Sequence, residues 1–130
     1  MKRILVVDSH DLFRESLARV LEHSLGTEVE VLRVGSIAEA RSCLVENEVD
    51  LALIEIELPN GDGTGLIRQL SRANPRVPVL TLSMVLSPLV NPSWTEQALE
   101  AGAEGVLSKT ASLEEILDAV KHLTGGTNSR

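Results

Sequence analysis

The feature that most constrains this chain is an alternation. Short apolar runs of strand length take turns with segments whose apolar residues recur at helical spacing, five times over. Lys2 to Val7 reads as a strand, and His10 to Ser24 as a helix through Phe13, Leu17, Val20 and Leu21. Glu28 to Val34 is a second strand, followed by a helix marked by Ile37, Ala40 and Leu44. Leu51 to Ile56 is a third strand, with a helix through Leu66, Ile67, Leu70 and Ala73. Val77 to Ser83, Trp94 to Ala101, Gly105 to Ser108, and the stripe Leu113, Ile116, Leu117, Val120 complete the series. Strands alternating with helices require a parallel sheet covered on both faces, and the near-continuous runs ILVV and LALI fit burial on both sides. The expected class is therefore α/β, a doubly wound five-stranded parallel sheet.

The punctuation agrees. Ser36-x-x-Glu39, Ser93-x-x-Glu96 and Ser112-x-x-Glu115 each have the form of a capping box at a helix start. Between Ser83 and Trp94 lies a long connection whose Pro88 and Pro92 argue against a helix through that stretch. It reads as a surface loop, or as a reshaped contact surface beside the fourth helix. Residues 1–123 are expected to form one domain, and 124–130, TGGTNSR, a linker or frayed tail.

Composition excludes several functions. The net charge is −7, the opposite of the basic footprint that phosphate neutralisation needs, so no nucleic-acid binding is expected of this segment. Phe13 and Trp94 are the only aromatics, too few for a base-stacking platform. A single cysteine, Cys43, allows no internal disulfide and reads as helix packing in a reducing compartment. Apolar runs stop at four residues, too short for a membrane span, so a cytoplasmic location is expected. NGDGTG at 60–65 looks like part of a calcium loop, but Leu58 and Gln69 stand where that loop needs acids. No G-x-x-x-x-G-K is present, and Asn60-Gly61 and Asp62-Gly63 read simply as a turn. His10 reads as a capping or surface residue, and Trp94 as a core residue.

In open parallel sheets, chemistry gathers at the carboxyl ends of the strands. Here those ends carry Asp8 and Ser9, Glu55, Ser83 and Lys109. Two acids, two hydroxyls and a lysine from four separate pieces of chain converging on one edge mark a shared site. No nucleophile–base pair or cofactor motif accompanies them, so a conventional enzyme is not expected.

Four segments in order, ILVVDSHDLFRESL at 4–17, DLALIEIELPNGDGTGL at 50–66, VPVLTLS at 77–83 and AGAEGVLSKTASLEEIL at 101–117, make the chain resemble a response-regulator receiver domain of the NarL/FixJ type, with the CheY-like fold. The resemblance implies a strand order 2-1-3-4-5 and a role in signal transduction. It implies a helix-turn-helix output domain outside this chain, a histidine kinase as partner, and a homodimer through the fourth helix, fifth strand and fifth helix. In the family, an aspartate four residues before a proline accepts a phosphoryl group. That position here is Glu55, ahead of Pro59. Of the family's two acids that hold Mg²⁺, Asp8 is kept and the second is Ser9; a backbone carbonyl near Glu57 would complete the set. Ser83 and Lys109 occupy the hydroxyl and lysine positions, and Val106 stands where a switching aromatic is common.

These departures predict a changed site. Serine removes a charge from a site for a hard, oxygen-seeking cation, so Mg²⁺ binding should weaken. Glutamate displaces the nucleophile by about an ångström, an error that can cost about a hundredfold in rate. The longer side chain would also reach Lys109 and Ser83 directly, as a built-in partial mimic of the phosphorylated state or simply as a buried ion pair. Phosphorylation of the conventional kind is not expected. The alternatives are a working Mg²⁺-dependent acceptor, or a sensor whose altered pocket takes a small ligand.

Overall fold

The computed structural model describes residues 2–56, 58, 63–83 and 92–124. In chain order the elements are β1 (Lys2–Val7), α1 (Asp11–Leu25), a 3₁₀ turn (Gly26–Glu28), β2 (Val29–Val34), α2 (Ile37–Glu46), β3 (Leu51–Glu55), α3 (Gly63–Ser71), β4 (Val79–Ser83), α4 (Pro92–Ala101), β5 (Gly105–Ser108) and α5 (Leu113–Thr124). The strands form one parallel sheet in the order β2-β1-β3-β4-β5.

The period-2 alternation of the strands sorts the core into two layers. Ile4, Val6, Leu51, Leu53, Leu80 and Leu82 face α1 and α5 and pack on Leu17, Leu21, Ile116 and Val120. Leu5, Val7, Ala52, Ile54 and Val79 face the other way, onto Ala40 of α2, Leu66, Ile67 and Leu70 of α3, and Ala98 and Ala101 of α4. The central strands β1, β3 and β4 thus bury both faces, and β3 and β4 are buried along their whole length, whereas the edge strands β2 and β5 are mostly half-buried.

Local chemistry sets the boundaries. At α5, Ser112 Oγ accepts the Glu115 N–H at 3.2 Å, and Glu115 Oε1 accepts the Ser112 N–H at 3.1 Å, a complete capping box. At α2 the box is rearranged: Ser36 Oγ accepts the Glu39 N–H, but Glu39 Oε1 reaches past it to the Gly35 N–H at 2.7 Å. The side chain of Ser93 lies outside the described residues. Gly102 closes α4 at φ 118°, and a Cβ there would collide with Ser71, whose hydroxyl donates to the Ala101 carbonyl at 3.0 Å.

Several sequence boundaries need correction. Pro92 is the first residue of α4, so the second proline of the long connection begins a helix instead of opposing one. A proline is well placed there because the first helical N–H has no partner to lose. β4 begins at Val79, since Pro78 can accept from the Ala52 N–H (3.0 Å) but has no N–H to return. α3 stops at Ser71, leaving Ala73 in the turn, where its N–H donates to Leu70 at 3.2 Å. Residues 26–28 form a 3₁₀ turn where the strand was extended to Glu28, and Thr124 ends α5 instead of opening a tail. Residues 59–62, 84–91 and 125–130 and the side chain of Trp94 lie outside the described residues, so the loop, tail and Trp94 readings are not addressed.

Candidate functional site

The strand ends meet above the α1/α5 layer. Asp8, Glu55 and Lys109 each lie two residues beyond one facing that layer (Val6, Leu53, Leu107), and each is buried. α3 starts hard against this edge: a Cβ on Gly63 would lie 3.3 Å from the carbonyl oxygens of Glu55 and Ile56. Ser83 is buried at the end of β4, and its carbonyl accepts the Lys109 N–H at 2.8 Å, tying the lysine's backbone to the neighbouring strand.

Lys109 Nζ is the centre of the cluster. It lies 2.8 Å from Asp8 Oδ2, 3.0 Å from Asp8 Oδ1, 3.4 Å from Glu55 Oε2 and 2.6 Å from His10 Nδ1. The Phe13 ring faces the ammonium at 4.7 Å. Burial pushes the Glu55 carboxyl up. The hydrogen bonds from Ser9, with the charge of Lys109, outweigh it and hold the group below its ordinary value.

Ser9 has a role the sequence reading did not give it. Its N–H and its hydroxyl both donate to Glu55 Oε1, at 2.9 and 2.8 Å. The residue read as a lost metal ligand is therefore the clamp on the longer acid. Glu55 is thus held by Ser9 on one oxygen and approached by Lys109 on the other.

His10 stands at the N-cap position of α1 with a largely exposed side chain, as a surface residue at a helix start, and its ring also borders the pocket. It makes no side-chain cap on α1; its Nδ1 lies 3.3 Å from Asp8 Oδ1 and 3.2 Å from Glu55 Oε2. Its backbone N–H donates to Asp8 Oδ1 at 2.8 Å, a local turn between the two residues. An ammonium can only donate, so in the Lys109 contact Nδ1 accepts. The position two residues after Asp8 was the available signal. Arg14 braces the same turn by donating to the Asp8 carbonyl at 3.0 Å. Val106 is half-buried against the α2–α4 layer, and Glu57 lies outside the described residues.

The donor set fits Mg²⁺ poorly. That ion wants a near-octahedral shell of oxygens. Here the Ser9 hydroxyl is committed to Glu55, a ring nitrogen faces the acids, and an ammonium stands among them.

The response regulator receiver domain model matches residues 4–121. The chain belongs to this family. The receiver domain is 33% identical over 125 residues to the transcriptional regulatory protein DegU of Brevibacillus brevis, covering 95% of this chain and 50% of that protein. It spans about half the length of the curated relatives it matches. The signal receiver domain of the response regulator NarL from Mycobacterium tuberculosis superposes with TM-score 0.78 at 31% identity, covering 95% of this chain and 97% of that one. A Burkholderia pseudomallei response regulator with a phosphorylated aspartic acid, calcium ion and citrate superposes with TM-score 0.77 at 26% identity, covering 98% and 75%. The family and the CheY-like fold read from the sequence are thereby established. Among the described residues, no helix is long and apolar enough to cross a membrane.

Proposed function

We propose that this receiver domain signals without an aspartyl-phosphate cycle, its acidic pocket held in one arrangement by Glu55. The observation that carries this reading is the double donation of Ser9 to Glu55 Oε1. An acceptor carboxylate must present a free oxygen to the incoming phosphorus along the line of displacement. Here one oxygen is held by two short hydrogen bonds, and the other faces Lys109 and His10. The phosphorylated group in the Burkholderia relative is an aspartic acid; the strand-end acid here is glutamate. We place the output in control of transcription, through a DNA-binding domain met in the same protein or a separate partner, as the name of the DegU relative supports. A homodimer through α4, β5 and α5 is a further part of this proposal, whereas a histidine kinase as partner belongs to the alternative in which the site is a working acceptor.

The test is intact mass after incubation with a small phosphodonor and excess Mg²⁺, beside the double variant Glu55→Asp, Ser9→Asp. The parent is expected to gain no phosphoryl group and the variant to gain one. A phosphorylated parent would overturn the reading in favour of a working Mg²⁺-dependent acceptor. A ligand-sensing pocket would instead reveal itself as ligand-dependent shifts in melting temperature.

A further inference from the structure

A cleft of about 280 Å³ opens at the amino-terminal edge of the sheet, at the other end of β3 from Glu55. The end of α2, the turn into β3, the end of α3 and the turn into β4 enclose it. Its walls are apolar, built from Leu44, Val49, Leu70 and Val77. The backbone ties those walls in place. The Asn47 N–H donates to the Cys43 carbonyl at 3.0 Å, the Asp50 N–H to that of Arg3 at 2.8 Å, and the Val77 N–H to that of Leu70 at 3.1 Å. The charged groups on the lining have one sign: they are Glu48 and Asp50, and among the described residues no lysine or arginine joins them. Asp50 Oδ2 accepts the Arg3 backbone N–H at 2.8 Å, which orients that carboxylate. Glu48 is exposed and meets no partner among the described residues. Asn47 Nδ2 donates to the Cys43 carbonyl at 3.0 Å, so its amide oxygen is the end left over. The neighbouring guanidinium groups are engaged elsewhere, Arg3 Nε on Glu30 at 3.0 Å and Arg41 Nη1 on Gln69 at 3.3 Å.

We propose that this cleft binds a small organic cation, an ammonium group on an apolar body. The walls supply hydrophobic contact, and the two carboxylates and the Asn47 oxygen supply acceptors. An ammonium donates three hydrogen bonds and accepts none, which matches this lining. A carboxylate or phosphate ligand would meet two like charges. A hydrated metal ion would gain nothing from apolar walls. The volume lies at the lower end of small-molecule sites, which begin near about 300 Å³, so the body is a short chain or one ring. A protein partner needs a face of about 800 Å², which a cleft of this size does not offer. The proposal stands apart from the fixed-state reading, because the cleft and Glu55 lie at opposite ends of β3.

The test is titration of the full chain with phenethylamine, followed by backbone amide NMR shifts, beside phenethyl alcohol and phenylacetate as its neutral and anionic counterparts. Phenethylamine is expected to bind saturably, with shifts centred on Asn47–Asp50 and Gln69–Val77. The alcohol is expected to bind at least about fivefold more weakly, and phenylacetate not measurably. Glu48→Gln removes one of the two charges and should weaken the amine at least about twofold. Ala73→Leu, at an exposed residue of the lining, should fill the cleft and abolish binding. Both positions are exposed, so both variants should fold; circular dichroism checks it. If Ala73→Leu does not fold, the ligand series and Glu48→Gln decide alone. Shifts centred on Asp8 and Glu55 would place the amine in the acidic pocket and overturn the proposal. So would an alcohol that binds as tightly as the amine, amine binding unchanged in Glu48→Gln or in Ala73→Leu, or no saturable binding by the parent.

Discussion

Two parts of the same sheet bury polar groups and treat them in opposite ways. At the carboxyl ends, Asp8, Glu55 and Lys109 are ionisable groups that water would solvate strongly, yet each meets an opposite charge or a hydrogen bond. Two residues inside the sheet from the Ser83 end, Thr81 is also fully buried, and its hydroxyl has no partner among the described residues. A charge buried without a partner is too costly to keep; an unpaired hydroxyl is affordable. The comparison teaches that the charged edge is held by mutual dependence, whereas the Thr81 hydroxyl is tolerated unpaired.

Removing the shared cation should break the comparison most strongly. Lys109→Met leaves two buried carboxylates without their ammonium and is expected to cost about 3–5 kcal/mol in urea unfolding at neutral pH. A cost below 1 kcal/mol would mean that the ammonium does not hold the edge together. Removing one clamp should cost less: Ser9→Ala deletes the hydroxyl donor but keeps the N–H, for an expected loss of about 1.5–3 kcal/mol. If Ser9→Ala is as stable as the parent, the serine does not restrain Glu55. The smallest effect should carry the opposite sign. Thr81→Val preserves shape and removes an unsatisfied hydroxyl, so the melting temperature should rise, by the equivalent of about 1 kcal/mol. A fall would show that Thr81 has a partner after all.

The architecture was largely legible because it rests on periodicities. Runs such as ILVV and LALI announce strands buried on both faces, and the α5 stripe announces one apolar face; Ile116 and Val120 are indeed its buried residues. Asp8, Glu55 and Lys109 were legible as a group because strand ends in a parallel sheet converge. What could not be read was the pairing inside the group. Whether Ser9 turns toward a cation or toward an acid 46 residues away depends on a rotamer and on the extra methylene of Glu55. His10 was legible as an exposed residue at a helix start, but its approach to Lys109, 99 residues on, was not. Pro92 was misread because proline opposes a helix interior but suits its first turn, and sequence alone did not say where that turn begins.

The Lys109 contacts join residues 101 and 54 positions apart. Closing loops of that size costs chain entropy before any attraction is returned, so the edge is expected to form late, after β5 docks beside β4. Interactions made after the rate-limiting step act mainly on the escape rate from the native state. The ionic knot at the top of the sheet therefore works as a latch on lifetime: it governs how long a folded molecule persists far more than how quickly one is made.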